Sequence, residues 1–141
     1  MADARIQIAG RRPRLLAVDD DEDLRVLISI TFERLGWEVF TAGSEQDGLA
    51  SVASYDPDVL MLDLGLGSGR GRDLLTTLKT DPATSWLPVI VVSGSSMPDD
   101  IAAVLREGAH DFVTKPWNVP DLSTCLDTAL RITAEHRAAG H

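Results

Sequence analysis

Short aliphatic runs alternate with stretches of helical period five times along this chain, and few folds accommodate that pattern. Runs such as Leu15 to Val18, Val59 to Leu62 and Val89 to Val92 carry no inside-outside alternation, which is how strands buried on both faces read. The intervening stretches are long enough for right-handed crossovers. The pattern therefore predicts an open, doubly wound parallel sheet of five strands in the α/β class, with helices on both faces.

The elements can be placed from local signals. The first strand, Leu15 to Val18, precedes a helix with Leu24, Leu27, Ile28 and Leu35 near one face, ending at Gly36. Trp37 to Thr41 is the second strand. Ser44, with Asp47 three residues on, opens a helix expected to bury Leu49 and Val52, and Tyr55 to Asp58 turns the chain. After Val59 to Leu62 and a glycine-rich loop, a helix carries Leu74, Leu75 and Leu78 to Asp81-Pro82. Val89 to Val92 is the fourth strand. Ser96, Pro98, Asp99 and Asp100 start a helix that stops at Gly108. Phe112 to Thr114 is the fifth strand, and Pro120 opens a last helix with Leu122, Cys125, Leu126, Ala129 and Leu130 on one stripe, which makes Cys125 a core residue. Residues 1–13 read as a flexible N-terminal tail that frays, 14–133 as one domain, and 134–141 as a C-terminal tail or the start of a linker.

Composition excludes several functions. The 141 residues carry 13 Lys plus Arg against 22 Asp plus Glu, a net charge of −9 that disfavours direct binding to nucleic acid or anionic membranes. No apolar run approaches the ~18 residues of a membrane span, and the single Cys125 forms no internal disulfide, so a cytoplasmic protein is expected.

In an open parallel sheet, sites form beyond the carboxyl ends of the strands. The residues that follow the aliphatic runs are Asp19 and Asp20, Asp63, Ser93 and Lys115. Carboxylates about 4 Å apart repel by roughly 4 kcal/mol at an effective dielectric near 20, so such a cluster calls for protons or a cation. Mg2+ suits an all-oxygen set and leaves room for a phosphoryl group, whereas His110, His136 and His141 lie away from the strand ends and do not suggest zinc. Asp63 stands alone at its strand end and is the candidate nucleophile. Asp19 and Asp20 are better suited to sharing the metal, Lys115 to holding phosphate, and Ser93 to a hydrogen bond made only when phosphate is present. Taken singly these residues have plainer readings: a helix-capping charge run at Asp19 to Asp23, a turn residue at Asp63, an exposed strand end at Lys115 and a core ring at Phe112. Trp37 and Trp86 read as structural, and Trp117 as either structural or a partner contact. It is the joint occurrence at four strand ends that points to a site.

Those residues carry a resemblance. Leu-Leu-Ala-Val-Asp19-Asp20, Val-Leu-Met-Leu-Asp63-Leu with Gly71 eight residues on, Val-Ile-Val-Val-Ser93-Gly94 and Phe112-Val-Thr-Lys115-Pro116 together resemble the receiver domain of two-component response regulators, over Arg14 to Thr133. The resemblance implies a flavodoxin-like (βα)5 sheet of order 2-1-3-4-5. It implies that Asp63 accepts a phosphoryl group from a sensor histidine kinase or a histidine phosphotransfer protein. It further implies that Asp20, Asp63 and the Gly65 carbonyl bind Mg2+, with Asp19 assisting through water, and that Ser93 and Phe112 form a switch pair acting on the α4-β5-α5 surface, where a homodimer or an output domain would meet it. On this reading the protein catalyses only its own phosphorylation and dephosphorylation. One departure is Gly67, where the family often has proline. A haloacid dehalogenase-type phosphatase using Asp19 and Asp21 is a weaker alternative, since it leaves Asp63 without a task. A receiver-like interaction module that never takes phosphate is weaker too, given the complete set of residues.

Overall fold

The structure is a computed structural model and describes residues 7–8, 10–65, 71–95 and 97–140. Five parallel strands, β1 (Arg14–Val18), β2 (Glu38–Ala42), β3 (Val59–Asp63), β4 (Val89–Ser93) and β5 (Asp111–Thr114), lie in the order β2-β1-β3-β4-β5. Among the described residues five helices alternate with them: α1 (Glu22–Arg34), α2 (Glu45–Tyr55), α3 (Gly71–Thr80), α4 (Pro98–Arg106) and α5 (Val119–Ala138). The flavodoxin-like expectation is met: α1 to α4 each connect consecutive parallel strands and α5 packs back against the sheet after β5.

The inner strands β1, β3 and β4 are buried on both faces, which is why they lack alternation, while the edge strands β2 and β5 are only partly buried. One cluster joins Leu15, Ala17, Met61 and Ile90 to Ile28 and Phe32 of α1 and to Leu122, Leu126 and Leu130 of α5. The other joins Leu16, Val18, Leu60, Leu62 and Val91 to Leu74, Leu75 and Leu78 of α3 and Val104 of α4. The Ser44 start signal operates as read, its hydroxyl accepting from the Asp47 N–H at 3.1 Å, whereas the last helix begins at Val119, one residue before Pro120, and is capped by Asn118, which accepts from the Asp121 N–H.

Several local expectations are corrected. Leu27 is half exposed, as are Val26 and Ile30. At about 100° per residue, Leu24, Ile28, Phe32 and Leu35 fall within about 80° of arc, and Leu27 lies about 60° beyond its edge. Leu49 is also exposed, because α2 turns Gly48 rather than Leu49 to the core. The second strand begins at Glu38, one residue later than read, with Trp37 wholly buried just before it. Cys125 is only partly buried; it packs against the α1/α5 cluster and its thiol donates to Asp111 Oδ2 at 3.3 Å. Trp117 rests against Phe32, ring centroids 6.4 Å apart, in keeping with the structural alternative. Ser96 lies outside the described residues, and α4 begins behind Met97, which provides no side-chain cap.

The described residues near both ends of the chain contact the domain. Ile8 is buried, and the Arg11 guanidinium reaches the wholly buried Asp58 at 2.9 Å. Asp58 also accepts from the Arg14 N–H at 2.8 Å and from Arg137 Nε at 2.9 Å, while its carbonyl accepts from the Thr133 hydroxyl. Helix α5 continues to Ala138 because its last turn has partners: His136 stacks on Trp86 at 4.4 Å, and Arg137 lies over the same indole. A buried carboxylate needs compensating donors, and Asp58 draws them from both ends of the described chain. Among the described residues no helix is long and apolar enough to cross a membrane.

Candidate functional site

The parallel ladders carry Asp19, Asp63, Ser93 and Lys115 to one edge of the sheet, as the strand-end argument requires. Asp19 follows β1, its N–H donating to the Ala42 carbonyl at 3.0 Å, so its backbone continues the β1-β2 ladder. Its side chain is almost wholly buried, and Oδ1 accepts from the Asp21 N–H at 2.9 Å. Asp21 in turn caps α1, accepting from the Leu24 N–H. Asp20, between them, is exposed. Asp21 therefore serves the helix, and Asp19-x-Asp21 does not form the paired carboxylates that a dehalogenase-type phosphatase would need.

Asp63 ends β3, with 11% of its side chain exposed. Its Oδ1 accepts from the Gly65 N–H at 3.1 Å, folding the loop back toward the carboxylate. Gly71 has a steric task here. A Cβ at that position would stand 2.6 Å from the Asp63 carbonyl oxygen and 2.8 Å from that of Leu64, so only glycine lets the start of α3 sit on the backbone carrying Asp63. Gly67 lies outside the described residues.

Lys115 follows β5 and spans the two inner carboxylates, with Nζ 3.3 Å from Asp19 Oδ2 and 3.5 Å from Asp63 Oδ2. Its N–H donates to the Ser93 carbonyl at 2.7 Å, and the Lys115-Pro116 peptide is cis. Ser93 is buried at the end of β4, and its Oγ accepts from the Ser95 N–H, leaving the hydroxyl hydrogen for another acceptor. Phe112 is partly buried one strand away and packs against the α3/α4 cluster.

Electrostatics follow from this crowding. Carboxylate oxygens of Asp19, Asp20 and Asp63 lie within 4.8 Å of one another. Burial pushes the Asp63 carboxyl above the usual carboxylate range and Asp19 pushes it further, against the opposing pull of Lys115 and the Gly65 N–H. Burial lowers the Lys115 ammonium, but Asp63 and Asp19 outweigh it and the net shift is upward, so Lys115 stays charged. Lys115 lies between the Asp19 and Asp63 carboxylates, one ammonium to two acids. Three oxygen donors in such an arrangement fit a hard divalent ion that keeps part of its water shell.

Sequence reasoning thus named Asp19, Asp20, Asp63, Ser93 and Lys115, and the fold brings these together at one rim. It missed Arg25, whose Nη1 donates to the Asp19 carbonyl at 2.6 Å; the signal was an arginine one turn into α1, on a helix read only for its apolar face.

Comparison with known proteins agrees with this geometry. Residues 15–127 match the response regulator receiver domain family. The KDP operon transcriptional regulatory protein KdpE of Escherichia coli is 37% identical over 117 residues, covering 83% of this chain and 51% of the relative. The probable transcriptional regulatory protein TcrX of Mycobacterium tuberculosis is 32% identical over 124 residues, 88% of this chain and 52% of the relative. The chain spans about half the length of these curated relatives. Among solved structures, the signal receiver domain of a putative LuxO repressor protein from Vibrio parahaemolyticus superposes with a TM-score of 0.83 at 27% identity, covering 92% of this chain and 99% of that one. The chain belongs to the response regulator receiver domain family of two-component signalling proteins.

Proposed function

We propose that this protein is a phosphorylation-controlled signalling switch in which Asp63 takes a phosphoryl group from a phosphohistidine on a sensor histidine kinase or histidine phosphotransfer protein. The observation that carries the reading is the placement of the Asp63 carboxylate between the Lys115 ammonium at 3.5 Å and the oxygens of Asp19 and Asp20 within 4.8 Å. An Asp63 oxygen attacks phosphorus, an acyl phosphate O–P bond forms, and the P–N bond to the donor imidazole breaks; the nitrogen takes a proton as it leaves. Lys115 balances charge on the equatorial phosphoryl oxygens, and the Ser93 hydroxyl hydrogen, not consumed by its bond from Ser95, donates to one of them. Asp20, Asp63 and the Gly65 carbonyl would hold Mg2+, with Asp19 assisting through water. When bound, the ion neutralises carboxylate charge and charge developing on the phosphoryl group.

Ser93 and Phe112 act as the switch pair. The Lys115 N–H to Ser93 carbonyl bond ties the ends of β4 and β5 together, so a change at Ser93 reaches the α4-β5-α5 surface, where a homodimer or an output domain would meet it. The protein would act in the cytoplasm, bind neither nucleic acid nor membrane directly, and catalyse only its own modification.

The test is incubation with acetyl phosphate, with and without Mg2+, read by intact mass. A gain of one phosphoryl group that requires Mg2+ and is absent in Asp63→Asn is expected; labelling that persists in Asp63→Asn refutes the assignment.

A further inference from the structure

We propose that Arg25 is a positioning residue for the acidic loop of this site, and that Gly43 is a glycine in order to make room for it. The inference rests on the phosphoacceptor reading for its functional meaning, though not for its geometry. The loop Asp19 to Asp21 is pinned at its margins: the Asp19 N–H to the Ala42 carbonyl, Asp19 Oδ1 to the Asp21 N–H, and Asp21 to the first turn of α1. The Asp19 carbonyl belongs to the peptide that leads into Asp20, and Arg25 Nη1 donates to it at 2.6 Å. That bond fixes the peptide plane between Asp19 and Asp20, and hence the direction in which the Asp20 carboxylate leaves the loop.

Gly43 follows β2, and a Cβ there would lie 2.9 Å from Arg25 Nη1 and 3.2 Å from Cζ. Its backbone is outside the left-handed region, so the chain does not need glycine for conformation. What glycine supplies is space: a Cβ there would force the guanidinium to shift from its place at the Asp19 carbonyl. Two residues on different elements, neither a candidate ligand, are thus required together for one hydrogen bond to the metal loop.

This makes a prediction that separates geometry from charge. A cation near a metal site repels the incoming ion, so if Arg25 acted only through its charge, Arg25→Gln would tighten Mg2+ binding. If it positions the loop, both Arg25→Gln and Gly43→Ala weaken binding by about tenfold, the lower end of what outer partners of metal ligands contribute. Gly43→Ala keeps the charge and breaks only the contact. The double variant should be no weaker than either single, because both remove the same bond.

The experiment measures Mg2+ affinity by calorimetry and, in metal-free protein, hydrogen exchange of the Asp21 amide. Faster Asp21 exchange in both singles, with weakened and non-additive Mg2+ binding, is the expected result. Unchanged exchange in both singles, tighter binding in Arg25→Gln, or effects that add in the double overturns it. A wild-type protein that binds no Mg2+ refutes the phosphoacceptor reading instead, and the exchange data still decide whether Arg25 holds the loop.

Discussion

Replacing Asp63 by asparagine should make the metal-free protein more stable. Asp63 and Asp19 oxygens within 4.8 Å repel by about 3.5 kcal/mol at an effective dielectric near 20. Lys115, 3.5 Å away, returns about 4.7 kcal/mol, but the same ammonium also serves Asp19 at 3.3 Å. About 1 kcal/mol of attraction therefore remains, against a burial cost of several kcal/mol for a carboxylate whose side chain is 11% exposed. Ionised Asp63 is left opposing the fold by about 2 kcal/mol, in line with the upward shift of its carboxyl.

The pH dependence follows in sign. Because the folded Asp63 holds its proton to higher pH than the unfolded one, the native state binds more protons between the ordinary value of 3.8 and the raised one. Stability contributed by this group is thus present below 3.8 and is lost as pH rises through the folded value. Asparagine escapes that loss. Its thermal midpoint in chelator at pH 7 should exceed the wild type by about 6 °C, and the gap should close as pH falls toward 3.8. Added Mg2+ should raise the wild-type midpoint by ligand linkage and leave that of Asp63→Asn nearly unmoved. Scanning calorimetry with and without Mg2+ provides the check. A midpoint for Asp63→Asn at or below the wild type in chelator would refute the argument that the rim is electrostatically frustrated.

Two further predictions follow from close contacts elsewhere. Gly71→Ala places a Cβ 2.6 Å from the Asp63 carbonyl oxygen, so the start of α3 must move; we expect a loss of about 1–3 kcal/mol in urea unfolding together with slower phosphorylation by acetyl phosphate. Asp58→Ala strips Arg11 of its carboxylate, leaves Arg137 with Asp56 alone and leaves the Arg14 N–H without its acceptor, a loss of about 3–5 kcal/mol measurable by the same unfolding assay, with the acidic rim still able to accept phosphate in the folded fraction.

How far this protein could be read from its residues alone differs from element to element. Strands β1, β3 and β4 were legible because burial on both faces leaves an unbroken aliphatic run, and the ends of α2 and α4 because Ser44, Pro98 and Gly108 act within a turn of themselves. The rim residues were legible for a topological reason: parallel strands all point their carboxyl ends the same way, so whatever follows Val18, Leu62, Val92 and Thr114 must share an edge. The strand order came from the family resemblance, since periodicity does not say which runs are neighbours.

Other features depend on which distant surface covers a side chain, and no local pattern carries that. Leu27 and Leu49 look as apolar as Ile28 and Val52, yet α1 and α2 turn them outward. Arg11, Asp58 and Arg137 are three unremarkable charges in sequence and one buried cluster in the fold. Arg25 and Gly43, eighteen positions apart, have a shared task only once β2 lies beside β1. Local composition determines where the chain turns and which face is oily. Packing between remote segments determines which polar groups must find each other, because the cost of an unpaired buried charge exists only after the water has gone.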